Sequence, residues 1–240
     1  MPEHISRKEL KQDKIHDAIE HGAEAVFSHT TVIAIAVLVV VVLGAIYGGW
    51  RFYMDRQTVQ ASAAMDAAMK TFTARIATTP DPSDPGETLF PTEAARAEAA
   101  GPQFSEVARK FSRTNPGRLA SYYAALCNED LERHNQALEQ LKKISSGGDA
   151  ELAAMAQYQI GLIYERTGKT ADAIKVFRDL ADHSSIFVPR PLALLELAEA
   201  LRQTNPAEAT SVYEKLKKEF PNSSVADQAD RGLETLAPKS

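Results

Sequence analysis

The chain contains very little cysteine and no excess of positive charge. Cys127 is the only cysteine among the 240 residues, so an intramolecular disulfide is excluded. It follows the apolar run of residues 122–126, which indicates a buried structural thiol rather than a reactive one. The net charge is −5, of which the first 29 residues contribute −2, with four Lys or Arg against six Asp or Glu. Neither part has the basic excess typical of nucleic-acid-binding proteins, and we expect no nucleic-acid partner.

The sequence also lacks the residue patterns of catalytic, metal and phosphate sites. Of the six histidines only His134 and His183 follow residue 29, and neither has a further metal ligand at a useful spacing. Gly147-Gly148 is typical of a plain turn and not of a phosphate-binding loop. We therefore predict that the protein is not an enzyme and that it binds no metal or cofactor.

The longest stretch without charge covers residues 30–50 and reads TTVIAIAVLVVVVLGAIYGGW. As a helix its 21 residues would be about 30 Å long, which is the thickness of a bilayer hydrocarbon core. Its 11 Val, Ile and Leu residues favour insertion by about 3–7 kcal/mol. The run is longer than that of a cleaved signal sequence and ends in the aromatic and basic residues 50–53. We predict a single uncleaved transmembrane helix.

Two glycines inside this span, Gly44 and Gly48, form a G-x-x-x-G pattern. The pattern permits close packing against a second helix, either of a partner or of another copy in a homodimer. The pattern also occurs in spans that do not associate, so helix packing and the absence of any association both stay open.

The charges beside the span give a weak prediction of its orientation. Lys11 and Lys14 precede it closely, whereas Arg51, Arg56 and Lys70 follow it. Because cytoplasmic flanks are enriched in Lys and Arg, this count favours a cytoplasmic C-terminal region by a single residue.

Prolines and glycines divide the rest of the chain into helical segments. We predict a short polar tail over residues 1–29 and a helical stem over residues 51–114. A proline cluster predicts a long loop at residues 79–91, and Gly101-Pro102 predicts a break in the second helix of the stem. Residues 115–240 form a third region, which contains repeated helices.

Three sets of residues recur at a spacing of 36 in this third region. They are Ala137, Ala173 and Ala209; Leu141, Phe177 and Tyr213; and Ile144, Leu180 and Leu216. Within each repeat the three members stand at i, i+4 and i+7, on one face of a helix. The small residue permits a close approach of the neighbouring helix, and the large one fills the gap to the next repeat. Because one helix pair cannot bury its own apolar face, we predict an all-α solenoid of stacked helix hairpins, closed by a capping helix over residues 224–237.

The middle repeat, with Gly161, Tyr164, Ala173 and Phe177, resembles the tetratricopeptide repeat. The third repeat keeps the small and aromatic positions and the closing Pro221. The first repeat is degenerate, and all three lack the tryptophan that often opens the motif.

The order of tail, span, stem and repeats is similar to that of the bacterial inner-membrane tetratricopeptide family that includes the ancillary subunit of the Sec translocon. Residues 49–53 and 108–121 carry the likeness, while the proline-rich insert at residues 79–91 departs from it. The resemblance implies a cytoplasmic tail and periplasmic repeats, which is opposite to the charge count. It also implies a chaperone-linked scaffold, with translocon subunits and periplasmic chaperones as partners. Residues 219–223 also resemble repeat proteins of outer-membrane assembly and division, so a regulatory or structural role in cell-envelope assembly or cell division is the alternative.

In stacked helix pairs the first helices line a concave groove that binds peptides or proteins. The residues predicted to face this groove are Tyr122, Glu129, Tyr158, Leu162, Glu165, Arg166, Glu199 and Arg202. For each of them the alternative is a plain structural role, with the tyrosines in the core and the charges solvated.

Overall fold

A computed structural model describes residues 30–78, 86 and 88–237 of the chain. The predicted tail and most of the predicted proline-rich loop lie outside these residues. The described part confirms the all-α fold class, since two strands of two residues each are its only β-structure. The elements are α1 (Thr30–Phe72), β1 (Arg75–Ile76), β2 (Leu89–Phe90), α2 (Glu93–Lys110), α3 (Asn115–Asp130), α4 (His134–Ser145), α5 (Ala150–Arg166), α6 (Thr170–Asp182), α7 (Arg190–Leu201), α8 (Pro206–Glu219) and α9 (Ala226–Leu236).

The contacts between residues divide the chain into two compact units, residues 1–56 and residues 57–240. The described part of the first unit belongs to α1 and contains no buried side chain. The Val, Leu and Ile side chains of residues 35–46 are exposed, and so long an exposed apolar stretch is typical of contact with lipid. By length and composition, α1 is the one helix in the described chain that is able to cross a membrane.

Aromatic and charged side chains cluster where this apolar stretch ends. The rings of Tyr47 and Trp50 lie 6.3 Å apart, and the guanidinium of Arg56 lies 4.6 Å from the centre of the Phe52 ring. Such amphipathic groups are typical of the boundary between hydrocarbon and water.

In the second unit, the last turns of α1 pack with α2 and α3 in one hydrophobic cluster. Ala61, Met65 and Ala68 of α1 are buried in it. Phe104 of α2 lies 5.7 Å from Phe72 of α1 and 5.2 Å from Tyr123 of α3, measured between ring centres. The stem therefore contributes a helix pair that packs on the first helix of the repeats.

Residues 115–237 form three helix hairpins, α3/α4, α5/α6 and α7/α8, followed by α9. Ala137, Ala173 and Ala209, together with their larger partners Leu141, Phe177 and Tyr213, are completely buried. Side chains at the helix starts fix the boundaries, since Thr114 accepts a hydrogen bond from Gly117 N and Asp149 accepts one from Leu152 N. Sequence and structure thus agree on the predicted solenoid.

The predicted break at Gly101-Pro102 is wrong, because α2 continues through Pro102. A proline inside a helix removes one backbone hydrogen bond and crowds the carbonyl four residues earlier, and tertiary packing offsets this cost here. Gly101 contributes to this packing, since a Cβ atom at its position would lie 3.3 Å from Cβ of Cys127 on α3.

β1 and β2 pair in parallel, with Arg75 opposite Leu89 and Ile76 opposite Phe90. Ala77 N donates a further hydrogen bond to Phe90 O at 3.0 Å. The ends of the segment that contains the proline cluster are therefore held together.

Gly161 permits the close approach of α5 and α6, so an added methyl group should destabilise the protein. A Cβ atom at Gly161 would lie 2.5 Å from Cε1 of Phe177, which is completely buried. We expect Gly161→Ala to lower the free energy of unfolding by about 2 kcal/mol, because a filled core has no room for another methyl group. Denaturant unfolding followed by circular dichroism would measure the loss.

Gly148→Ala is the matched control, because a Cβ atom there meets nothing within 4 Å. It should leave stability unchanged or slightly raised. In the double variant Gly161→Ala/Phe177→Leu, the smaller Leu should recover part of the free energy of unfolding that Gly161→Ala loses. If the losses of the two single variants simply add in the double variant, the proposed contact is wrong.

Candidate functional site

The predicted groove residues lie along the first helices of the three hairpins. Tyr122 and Glu129 are on α3; Tyr158, Leu162, Glu165 and Arg166 are on α5; Glu199 is on α7 and Arg202 directly follows it. Their exposure differs, since Tyr122 and Glu129 are buried, Arg166 is exposed and the other five are half-buried.

Glu129 and Arg166 form an ion pair between α3 and α5. Arg166 Nη1 donates to Glu129 Oε1 at 2.6 Å, and His134 Nδ1 lies 2.8 Å from Glu129 Oε2. The Glu129 side chain is only 8% exposed, so its charge depends on these two partners. The pair joins two successive hairpins, and the charge of the buried Glu129 is used within the protein.

Tyr122 makes a second link between the same two helices. Burial raises the pKa of its phenol, and a hydrogen bond with Gln159 of α5 partly opposes this shift. The ring is in the hydrophobic cluster formed by α3, α4 and α5. Tyr122 is therefore mainly a core residue with one polar contact.

Between α5 and α7 the link is made by Tyr158 and Glu196. Tyr158 Oη donates to Glu196 Oε1 at 2.7 Å, and the two residues are 38 positions apart in sequence. Burial, followed by the effect of this hydrogen bond, raises the pKa of Tyr158. Leu162, one turn after Tyr158, packs against the cluster of the second and third hairpins. Glu196 is absent from the predicted set, although its position three residues before Glu199 places it on the same helix face.

Glu199 and Arg202 are also paired with each other. Arg202 Nη1 and Tyr213 Oη both donate to the Glu199 carboxylate, each at 2.6 Å. Tyr213 is completely buried on α8, so this contact holds α7 to its own second helix. Burial and the adjacent Glu199 raise the pKa of Tyr213.

Glu165 differs from the other charged members of the set. Within the described chain its carboxylate receives no hydrogen bond and forms no ion pair. Burial, followed by the charges of Glu196 and Glu199, raises its pKa to about 7. The carboxylates of Glu196 and Glu199, unlike that of Glu165, accept hydrogen bonds from side chains.

Gly44 and Gly48 lie in the other unit, on the exposed apolar part of α1. A Cβ atom at either position would meet no atom within 4 Å in the described chain. Their role in helix packing stays a prediction, as does the groove as a partner site.

A cavity of about 420 Å³ lies elsewhere in the second unit, on α2, α3 and α4 and the turn before α5. Ser105, Arg118, Gln140, Lys143 and Asp149 provide its polar lining. None of the predicted groove residues lines it, and sequence spacing gave no sign of it. Among the described residues no group of three or more His, Cys, Asp or Glu is placed to hold a metal ion.

Comparison with protein families gives two matches along the chain. A family model described as "Tetratricopeptide repeat-like domain" matches residues 28–187, which is more than half of the chain. A second, described as "Tetratricopeptide repeat", matches residues 192–223. These matches confirm the predicted repeat type. No curated protein matches the chain.

Removal of Arg166 should destabilise the joint between the first two hairpins. We expect Arg166→Met to lower the free energy of unfolding by about 1–2 kcal/mol at pH 8, because the buried Glu129 would keep His134 as its only partner. The aliphatic part of the side chain is retained, so the change reports mainly the lost charge. Thermal and denaturant unfolding would measure it.

Lys143→Met is the matched control on α4. Its ion pair with Glu139 is 74% and 70% exposed, and solvent screens such a pair, so its loss should change stability little. Equal losses in the two variants would contradict a structural role for the Glu129–Arg166 pair.

Proposed function

The chain belongs to the tetratricopeptide repeat-like domain family, and from this membership we propose that it is a membrane-anchored scaffold for protein–protein interactions. Stacked helix hairpins form extended surfaces that bind protein segments. The observation that carries the proposal is the row of half-buried side chains on α5 and α7, which includes Tyr158, Leu162 and Glu165. These side chains offer apolar, aromatic and acidic contacts to a bound segment.

The apolar part of α1 supports the proposed anchor. Its exposed Val, Leu and Ile side chains would be unfavourable in water over such a length, and favourable in hydrocarbon. We place the protein in the bacterial inner membrane with the repeats in the periplasm, as the resemblance of the sequence to the translocon-associated family implies. The same resemblance supports subunits of the Sec translocon and periplasmic chaperones as partners.

The proposed topology predicts that the C-terminus reaches the periplasm only when α1 inserts. A reporter enzyme that is active only in the periplasm, fused after Ser240, should be active in intact cells. We expect Val39→Lys/Val40→Lys to abolish this activity, because two lysines at the centre of the span cost about 5–7 kcal/mol and offset its whole gain. Membrane fractionation would show whether the variant is released.

Gln60→Lys is the control for added charge, since Gln60 is exposed on α1 beyond the apolar run. It should keep reporter activity at the level of the unmodified chain. An inactive reporter on a membrane-bound, expressed fusion would place the repeats in the cytoplasm, as the flanking charges suggest.

The proposed groove predicts that a partner can be captured from one helix face. A photo-cross-linking amino acid at Leu162 should capture a translocon subunit or a periplasmic chaperone in living cells, because this half-buried side chain lies between Tyr158 and Glu165 on α5. Mass spectrometry of the cross-linked band would identify the partner.

The same amino acid at Lys175, which is exposed on the second helix α6, is the control. Capture from Lys175 and not from Leu162 would place the binding surface on the other face of the solenoid. Capture of cell-division proteins at Leu162 would favour the envelope-assembly alternative over the translocon.

A further inference from the structure

The cavity of about 420 Å³ lies where the stem meets the first hairpin, and none of the proposed groove residues lines it. Most of its surface is apolar and comes from Ala108 of α2, Ala124 of α3, Ile144 of α4 and Leu152 of α5. Pockets of about 300–1,000 Å³ with an apolar wall and a few polar groups are typical binding sites for small molecules. The cavity therefore has the size and the wall of such a site.

A comparison with the next repeat shows why there is space at this joint. Ala124 and Gln140 stand 36 residues before Ile160 and Val176, which occupy the equivalent positions of α5 and α6. Ile160 is buried and Val176 packs against the same hydrophobic cluster, so larger apolar side chains fill the equivalent part of the next joint. The cavity is thus a feature of the first joint and not of the repeat in general.

The charged groups that line the cavity are Arg118, Lys143 and Asp149. Both oxygens of Asp149 already accept hydrogen bonds, Oδ1 from Leu152 N at 3.2 Å and Oδ2 from Arg118 Nη2 at 3.4 Å. Arg118 Nε, in contrast, is buried and has no hydrogen-bond partner within the described chain. The single acid of the lining is therefore in use, whereas the guanidinium retains an unused donor.

The other polar groups also offer donors. The amide oxygen of Gln140 accepts a hydrogen bond from Asn128 Nδ2 at 2.9 Å, so its NH2 group is what this side chain still offers. Lys143 stands at the solvent side, where solvent screens its exposed ion pair with Glu139. The lining thus combines donors and one net positive charge with an apolar wall.

We propose that this cavity binds a small carboxylate with an aliphatic body, with the hydrocarbon against Ala124, Ile144 and Leu152 and the charge beside Arg118 and Lys143. The carboxylate would give the Arg118 guanidinium an acceptor for charge-assisted hydrogen bonds. Because α2 and α4 both line the cavity, the ligand would also add contacts between the stem and the first hairpin. The site goes beyond the proposed scaffold function and needs no protein partner.

Binding of octanoate to the full chain in lipid nanodiscs tests this proposal, with Ile and Leu methyl groups labelled for NMR. The signals of Ile144 and Leu152 should shift and saturate with a dissociation constant of about 1 mM or lower, as expected for a ligand of about ten non-hydrogen atoms. Signals of Leu194 and Leu197, buried in the third hairpin, should stay in place. Octanamide, which has the same chain without the charge, should bind at least about fivefold more weakly.

The contribution of the cation is tested separately from that of the cavity. Arg118→Met should weaken octanoate binding by about fivefold or more and remove the preference over octanamide. Arg178→Met is the matched control, because Arg178 pairs with Glu208 of α8 and does not line the cavity. It should bind octanoate like the unmodified chain.

Ala124→Ile introduces the residue of the next repeat and should abolish binding by filling the cavity. Unchanged signals of Leu194 and Leu197 would show that this variant is folded. If it does not fold, Gln140→Val, also taken from the next repeat, replaces it and should weaken binding.

Three results would overturn the proposal: no saturable shift at Ile144 and Leu152, equal affinity for octanoate and octanamide, or full binding by the folded cavity-filling variant. No protein partner takes part in these measurements. Their failure would therefore leave cross-linking at Leu162 as an independent test of the scaffold function.

Discussion

In the second and third repeats, a large aromatic side chain packs directly against a glycine of a neighbouring helix and sets how closely the two helices approach. Phe177 lies so close to Gly161 that no side chain fits there, and Tyr213 has the same relation to Gly232 of α9. The third hairpin and the capping helix are therefore joined by the same device as α5 and α6. These two contacts set how closely α6 approaches α5 and how closely α9 approaches α8.

Polar links along the groove face join the successive first helices. Glu129 and Arg166 are 37 residues apart, and Tyr158 and Glu196 are 38 apart, so each link joins equivalent helices of successive repeats. Most charges on this face are thereby used within the protein. Among the carboxylates of the predicted groove set, that of Glu165 has no such partner in the described chain.

The sequence predicts the repeat but not the pairing of its polar groups. Ala173 and Phe177 could be assigned to the core because small and large residues recur at one spacing on one helix face. The sequence predicts both Glu129 and Arg166 at the groove. That they bind each other follows only from the positions of α3 and α5 in the folded protein. Glu196 was missed although its offset from Glu199 was visible in the sequence. Pro102 locally predicts a helix break, but α2 continues through it because the helix packs against α3.

α1 shows why apolar composition alone does not define a helix's environment. From Val37 to Val59 its Val, Leu, Ile and aromatic side chains are exposed, whereas Ala61, Met65 and Ala68 are buried against other helices. These three residues stand at i, i+4 and i+7, the same pattern as the core residues of the repeats, and this signal marks them as a protein-packing face. The bulky β-branched residues before them have no such pattern and cover the helix on all sides, as a lipid environment permits. The change from large residues all round to small residues on one face therefore separates the part of the helix suited to hydrocarbon from the part suited to a protein neighbour.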